Sequence, residues 1–235
     1  MGFPGCAKCF YVSGGPVAVC ARCASKTVQH VSDQHCPVCS QTLDESDRCR
    51  NTLCRNPQRS IHRIRAIAMY SGVLADVIKR FKYGGKTGWS IIFGRLVLGY
   101  LERTYTPADV DLILPNPTWL GEGGSVIDHT ERVLKTAEWE DLHDRWPFAP
   151  TSVLRKTAAT PRSAGGTIAA KQATAHAVYE ALALTEADAV RGHRLIVYDD
   201  VCTTGSQLDA VARFLVENGA RSVEGLVLAR VPWTG

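Results

Sequence analysis

The sequence predicts an α/β protein: a mostly parallel sheet with helices on both faces, preceded by a small Cys-rich module. Three observations carry this. From residue 61 onward, short apolar runs alternate with stretches of helical periodicity. Eight of the nine cysteines fall between Cys6 and Cys54. The segment that holds them is rich in Ser and turn residues and poor in large aliphatics, so it cannot build a core alone. The predicted boundary therefore places the module at residues 1–60 and the α/β domain at 61–235, and a chain of 235 residues is long enough for both.

The elements follow in order. Ile64, Ile67 and Met69 mark a strand. Val73, Val77, Ile78 and Phe81 recur at helical spacing, and Gly84-Gly85 ends that helix. Phe93, Leu96, Val97, Tyr100 and Leu101 mark a second helix. Val110 to Leu114 is a short strand stopped by Pro115-Asn116-Pro117. Val126, Val133, Leu134 and Trp139 lie on a further helix, with His129 near its start as a surface residue in preference to a base or hydrogen-bond donor at a site. A strand is expected at 151–154, a polar mobile loop at 155–172 and a helix at 173–184. Arg194 to Tyr198 is a buried strand, Leu208, Val211, Ala212 and Leu215 form a helical stripe, and Val223 to Ala229 is the last strand.

Composition removes some classes of protein. Hydrophobic content is 45% and charged content 21%, as in ordinary globular chains. No apolar run approaches the ~18 residues of a membrane span, and the N-terminus shows neither a basic region nor an apolar leader. A cytoplasmic protein without a membrane span is expected.

The cysteines are paired in knuckles. Cys6-x2-Cys9 is followed after ten residues by Cys20-x2-Cys23, and Cys36-x2-Cys39 after nine by Cys49-x4-Cys54. A CxxC turn gives two thiolates, and two such turns close a tetrahedron around zinc. Clustered pairs in a leaderless chain point to metal rather than disulfides. Two sequential sites, Cys6/Cys9/Cys20/Cys23 and Cys36/Cys39/Cys49/Cys54, are favoured over a cross-braced pairing, and His30 and His35 are spare ligands. Residues 1–65 hold nine Lys/Arg against four Asp/Glu. Each tetrathiolate zinc carries −2, so two sites leave the segment close to neutral. Protein docking or simple capping by this module is accordingly favoured over binding of single-stranded DNA.

The strand Leu195-Ile196-Val197-Tyr198 runs directly into Asp199-Asp200, then Val201-Cys202-Thr203-Thr204-Gly205-Ser206, and a helix opens at about Ser206. A strand, a tight turn and a helix N-terminus aim backbone N–H groups at one point beside the positive end of the helix dipole. Thr203, Thr204 and Ser206 add hydroxyls, and Gly205 permits close approach. That donor density suits a phosphate. Carboxylates repel phosphate, so Asp199 and Asp200 are expected to face a ribose diol and a Mg²⁺.

The segment Leu195 to Ser206 resembles the phosphoribosyl pyrophosphate (PRPP) fingerprint of type I phosphoribosyltransferases. Together with Phe81-Lys82-Tyr83-Gly84-Gly85, Asp111 to Pro117, Leu226 to Arg230 and the Cys pattern, the chain resembles the ComF family of competence-associated, phosphoribosyltransferase-like proteins. The resemblance implies a type I phosphoribosyltransferase-like fold with a zinc-ribbon module. It implies that Asp199 and Asp200 hold the ribose, in the catalytic position, and that Val201, Cys202, Thr203, Thr204, Gly205 and Ser206 bind the 5-phosphate. Zinc at two structural sites and Mg²⁺ entering with PRPP are the implied cofactors. The family's arginine-rich stretch after its Pro-x-Pro is replaced here by residues 118–131, which hold no Lys or Arg. Arg155 and Lys156 stand where the family carries basic residues, beside the pyrophosphate. The expected function is Mg²⁺-dependent phosphoribosyl transfer to an unnamed acceptor, with the 155–172 loop closing over the site through Thr160, Arg162, Gly165-Gly166 and Lys171. The alternative is a non-catalytic PRPP sensor or a DNA-uptake accessory protein.

Overall fold

A computed structural model describes residues 27–122, 127–149, 153–161 and 168–232 of the chain. The fold is α/β. Four strands, β1 (Ile64–Met69), β2 (Leu112–Pro115), β5 (Arg194–Cys202) and β6 (Ser222–Arg230), form one sheet in the order β1-β6-β5-β2. Every pairing in it is parallel. The short strands β3 (Leu154–Lys156) and β4 (Leu182–Leu184) make a separate antiparallel pair.

Parallel strands are covered on both faces, so their side chains alternate between two cores. Ile67, Ile113, Ile196, Tyr198, Leu226 and Leu228 point to one side. There they meet α2 (Gly72–Tyr83), α3 (Trp89–Thr104) and α4 (His129–Glu140) through Leu74, Phe81, Phe93, Val97, Val133 and Leu134. Ala66, Leu114, Leu195, Val197 and Val227 point to the other. That side packs against α5 (Ile168–Glu180) and α6 (Ser206–Glu217) through Val178, Leu208, Val211 and Leu215. The short α1 (Thr52–Arg55) belongs to the Cys-rich segment.

Three expectations change. The strand read at 151–154 is Leu154–Lys156, with 150–152 outside the described residues. The helix read at 173–184 begins earlier, at Ile168, and ends at Glu180; Leu182–Leu184 is strand β4. Its residues are good helix formers, and pairing with β3 overrides that propensity. The 155–172 loop is correspondingly shorter, and Arg162 and Gly165-Gly166 lie outside the described residues, as does the side chain of Lys171. Among the described residues, no helix is long and apolar enough to cross a membrane.

The Cys-rich segment is laid onto the outer edge of the sheet. Ile64 N–H donates to the Val38 carbonyl at 2.6 Å. Ser40 Oγ donates to Ile64 O at 2.9 Å and accepts from Ala66 N–H at 3.2 Å. The turn between Cys36 and Cys39 thereby satisfies part of the exposed edge of β1.

Candidate functional site

The strand β5 runs past Tyr198 and includes the acid pair, ending only at Cys202. Successive strand side chains leave on opposite faces, so Asp199 and Asp200 diverge. Asp200 is buried and pairs with Lys82 at the end of α2, Nζ to Oδ2 2.8 Å. Asp199 is half-buried and accepts from Asn116 Nδ2 at 2.8 Å, just past the end of β2. Asn116 is held in turn: Thr130 Oγ1 donates to its carbonyl at 2.7 Å. Asp128, which caps α4 through Glu131 N–H at 2.9 Å, also accepts from Thr118 N–H at 3.0 Å. The carboxyl ends of β2 and β5 are the place where ligands bind in open parallel sheets.

Charge is distributed around the acids. Burial raises the Asp199 carboxyl from its ordinary 3.8 to about 7, with repulsion from Asp200 adding to it; Lys82 and Asn116 pull the other way. A carboxyl that holds its proton more tightly when folded contributes stability that is full below pH 3.8. That contribution declines as pH rises toward and through about 7. Burial disfavours the Lys82 charge, but Asp200 and Asp199 outweigh it and raise its pKa. Burial lowers Lys156, and Asp199 opposes that. Lys156 thus lies within the field of Asp199, and its Nζ donates to Thr160 Oγ1 at 2.7 Å. Arg155, its neighbour on β3, leaves on the opposite face and is exposed. His129 is buried rather than on the surface, packed edge-on to Phe81 at 5.1 Å. Its pKa is lowered by burial.

The turn Thr203–Gly205 joins β5 to α6. Gly205 has φ +84°, and a Cβ there would stand 2.5 Å from Ile64 Cδ1 and 2.8 Å from Leu53 Cδ2. The left-handed φ favours glycine, and a larger residue would also have to displace the ends of the Ile64 and Leu53 side chains. The three carbonyls preceding the helix all face inward. Arg230 donates to Cys202 O at 2.9 Å and to Thr203 O, and Asn51 Nδ2 donates to Thr204 O at 2.9 Å. The peptides here are trans, and in a trans peptide the C=O and the following N–H point opposite ways. The N–H groups of Thr203, Thr204 and Gly205 therefore face outward together. None of the three has a hydrogen-bond partner among the described residues. The hydroxyls of Thr204 and Ser206 lie 3.0 Å apart beside them. Successive outward N–H groups at a helix N-terminus make an anion-binding nest. Val201 is half-buried, and Cys202 turns its buried thiol toward Arg230 at 3.3 Å. Burial pushes that thiol up to about 11, so it is protonated at neutral pH. Cys202 offers the turn its backbone, not a nucleophile.

Behind the turn, Cys36, Cys39, Cys49 and Cys54 place their sulfurs within 4.8 Å of one another. Cys36 and Cys54 are 3.6 Å apart, and Cys39 and Cys49 3.7 Å. Four sulfurs at ~2.3 Å around a tetrahedral zinc have edges of about 3.8 Å. The four fit a metal ion such as zinc. His35 Nδ1 lies 2.7 Å from the Ser32 carbonyl oxygen, outside this group. The other expected set, Cys6, Cys9, Cys20 and Cys23, lies outside the described residues.

The sequence reading assigned no role to Lys82, Asn116 or Arg230. Each had a signal: Lys82 closes an apolar helix stripe beside Gly84-Gly85, Asn116 sits between two prolines at a strand end, and Arg230 ends the wholly apolar run Leu226 to Ala229. Comparison with the models of known protein families finds no match, and no curated protein matches the chain significantly.

Proposed function

We propose that the chain binds the ribose 5-phosphate part of PRPP at the carboxyl end of β5, in a type I phosphoribosyltransferase-like domain. The observation that carries this reading is the outward-facing N–H triplet Thr203–Gly205 directly beyond the acid pair. The triplet and the Thr204 and Ser206 hydroxyls would take the phosphate. Asp199 and Asp200, leaving the strand on either side, would meet the ribose hydroxyls and the magnesium that accompanies PRPP. Asn116 orients Asp199, and Lys82 balances Asp200, so the acids need not repel the ligand together. Lys156 is the cation placed to meet the pyrophosphate. Transfer of the phosphoribosyl group would then rest on positioning and charge neutralisation.

A second reading, PRPP sensing or a competence accessory role without transfer, draws on residues 118–131. That segment holds Glu122, Asp128 and Glu131 and no cation. A segment without a cation of its own would offer nothing to neutralise the departing pyrophosphate while leaving the ribose-phosphate grip intact.

Asp199 supplies the test of the binding reading. Its carboxylate, not its acid form, accepts two ribose hydroxyls, so binding should take up the ionised form and expel a proton. Affinity for ribose 5-phosphate is expected to rise about tenfold from about pH 6 to about pH 8. Calorimetry at about pH 6.5 in two buffers of different ionisation enthalpy should register proton release. Binding that is absent at every pH would remove the proposal, and proton uptake would remove the role of Asp199.

A further inference from the structure

The inner side of the phosphate turn is also one wall of the thiolate cluster. Arg230 closes β6 and is fully buried. Its guanidinium reaches two carbonyls, Cys202 O and Thr203 O, and two sulfurs, Cys202 Sγ at 3.3 Å and Cys39 Sγ at 3.8 Å. Its Nε is buried without a hydrogen-bond partner. A buried guanidinium needs an anion close by. The carbonyls are neutral, and a thiol enclosed in apolar surroundings stays protonated, as for Cys202. Cys39 is the neighbour that metal binding would make a thiolate, in a centre that carries −2 with zinc and four thiolates. Asn51 reaches the turn from the same direction. It lies between Cys49 and Cys54, caps α1 by accepting from Leu53 N–H at 3.1 Å, and donates to Thr204 O at 2.9 Å. Leu53, one turn on, occupies the space a side chain at Gly205 would need.

We propose that Arg230 and Asn51 couple the metal cluster to the phosphate turn. The filled cluster anchors both donors. They hold three successive carbonyls inward, and the N–H groups of Thr203, Thr204 and Gly205 face the ligand as a consequence. The coupling rests on the reading of this turn as the ribose-phosphate grip. Linkage is reciprocal: metal loading strengthens ribose 5-phosphate binding, and ribose 5-phosphate tightens metal binding by the same factor.

The test uses the full chain, zinc-loaded, with Arg230→Lys and Asn51→Ser. Lysine keeps the charge but cannot span both carbonyls. Serine keeps the capping oxygen for Leu53 N–H but falls short of Thr204 O. Three quantities are read: zinc content, hydrogen exchange of Val231 and Asp209, whose N–H groups donate to Cys202 O and Gly205 O at 2.9 Å, and the Kd for ribose 5-phosphate. Both variants are expected to keep wild-type zinc content. These two amides should exchange about tenfold faster, and Kd should rise about tenfold, equivalent to ~1.4 kcal/mol. A merely structural role would move global unfolding and leave the turn's exchange no faster than that of the sheet. Unchanged exchange of Val231 and Asp209 in both variants overturns the coupling. Should Arg230→Lys fail to fold, Asn51→Ser decides by the same readouts. A wild type that binds no ribose 5-phosphate would overturn the phosphate reading, while exchange at the turn would still decide the coupling.

Discussion

Cys49→Ala, which opens the described thiolate cluster, is expected to cost more than ~4 kcal/mol, the range in which loss of a metal site falls. The reason lies in how little else orders this segment. Among the described residues before 61, the buried apolar side chains are Val28, Cys36, Cys39 and Leu53. Ordering a residue costs about 1–2 kcal/mol of backbone entropy, and those few side chains cannot offset it over some thirty residues. A metal ion held by the four cysteines would supply the difference. The loss would spread to the sheet along two routes. The turn holding Val38 and Ser40 would leave the backbone of β1 at Ile64 and Ala66, exposing unpaired groups at an edge. Arg230 would keep its charge and lose its counterion. Urea unfolding followed by circular dichroism should show the lowered midpoint, and limited proteolysis should cut first between residues 36 and 60. An unchanged midpoint would mean that the cysteines pack as ordinary small apolar residues.

The second large effect concerns the acid pair, and its two halves should separate. Asp199→Asn is expected to weaken ribose 5-phosphate binding at least a hundredfold, the loss of two charge-assisted hydrogen bonds at ~1.5 kcal/mol each. The same change should stabilise the ligand-free protein above pH 7 by on the order of 1–2 kcal/mol. It removes a carboxylate that burial and Asp200 keep near a pKa of about 7. Asp200→Asn should destabilise at neutral pH, because it leaves Lys82 without its 2.8 Å partner. Binding isotherms and thermal melts on the same samples read both effects. If Asp199→Asn destabilised the fold while leaving binding intact, Asp199 would be a structural residue.

Much of this site is legible in local sequence. The apolar run before Asp199, the Thr-Thr-Gly-Ser turn and the stripe Leu208, Val211 and Leu215 each follow from one short periodicity. So does the thiolate group, because Cys36-x2-Cys39 encodes its own turn. What escapes is what distant residues bring. Asp199 and Asp200 extend β5 instead of following it, since β6 pairs with β5 as far as Cys202, and Asn116 and Lys82, 83 and 118 residues away, meet their carboxylates. Local pattern read two acids after a strand as the start of a loop. The strand Leu182–Leu184 was hidden in a helix-forming sequence, because β3 alone makes it a strand. The bond from Arg230 to the turn spans 27 residues, and that from Asn51 spans 153. No window of sequence contains either contact.

The central claim is a ribose-phosphate grip formed by the Thr203–Gly205 turn and the acid pair. Its most direct test is a calorimetric titration of the zinc-loaded chain with PRPP plus Mg²⁺, with ribose 5-phosphate, and with pyrophosphate. The expected result is saturable one-site binding of both ribose phosphates and none of pyrophosphate alone. The gain of PRPP over ribose 5-phosphate then measures what the pyrophosphate half of the site contributes, and the absence of any gain would make transfer untenable. Failure of both ribose phosphates to bind would contradict the claim.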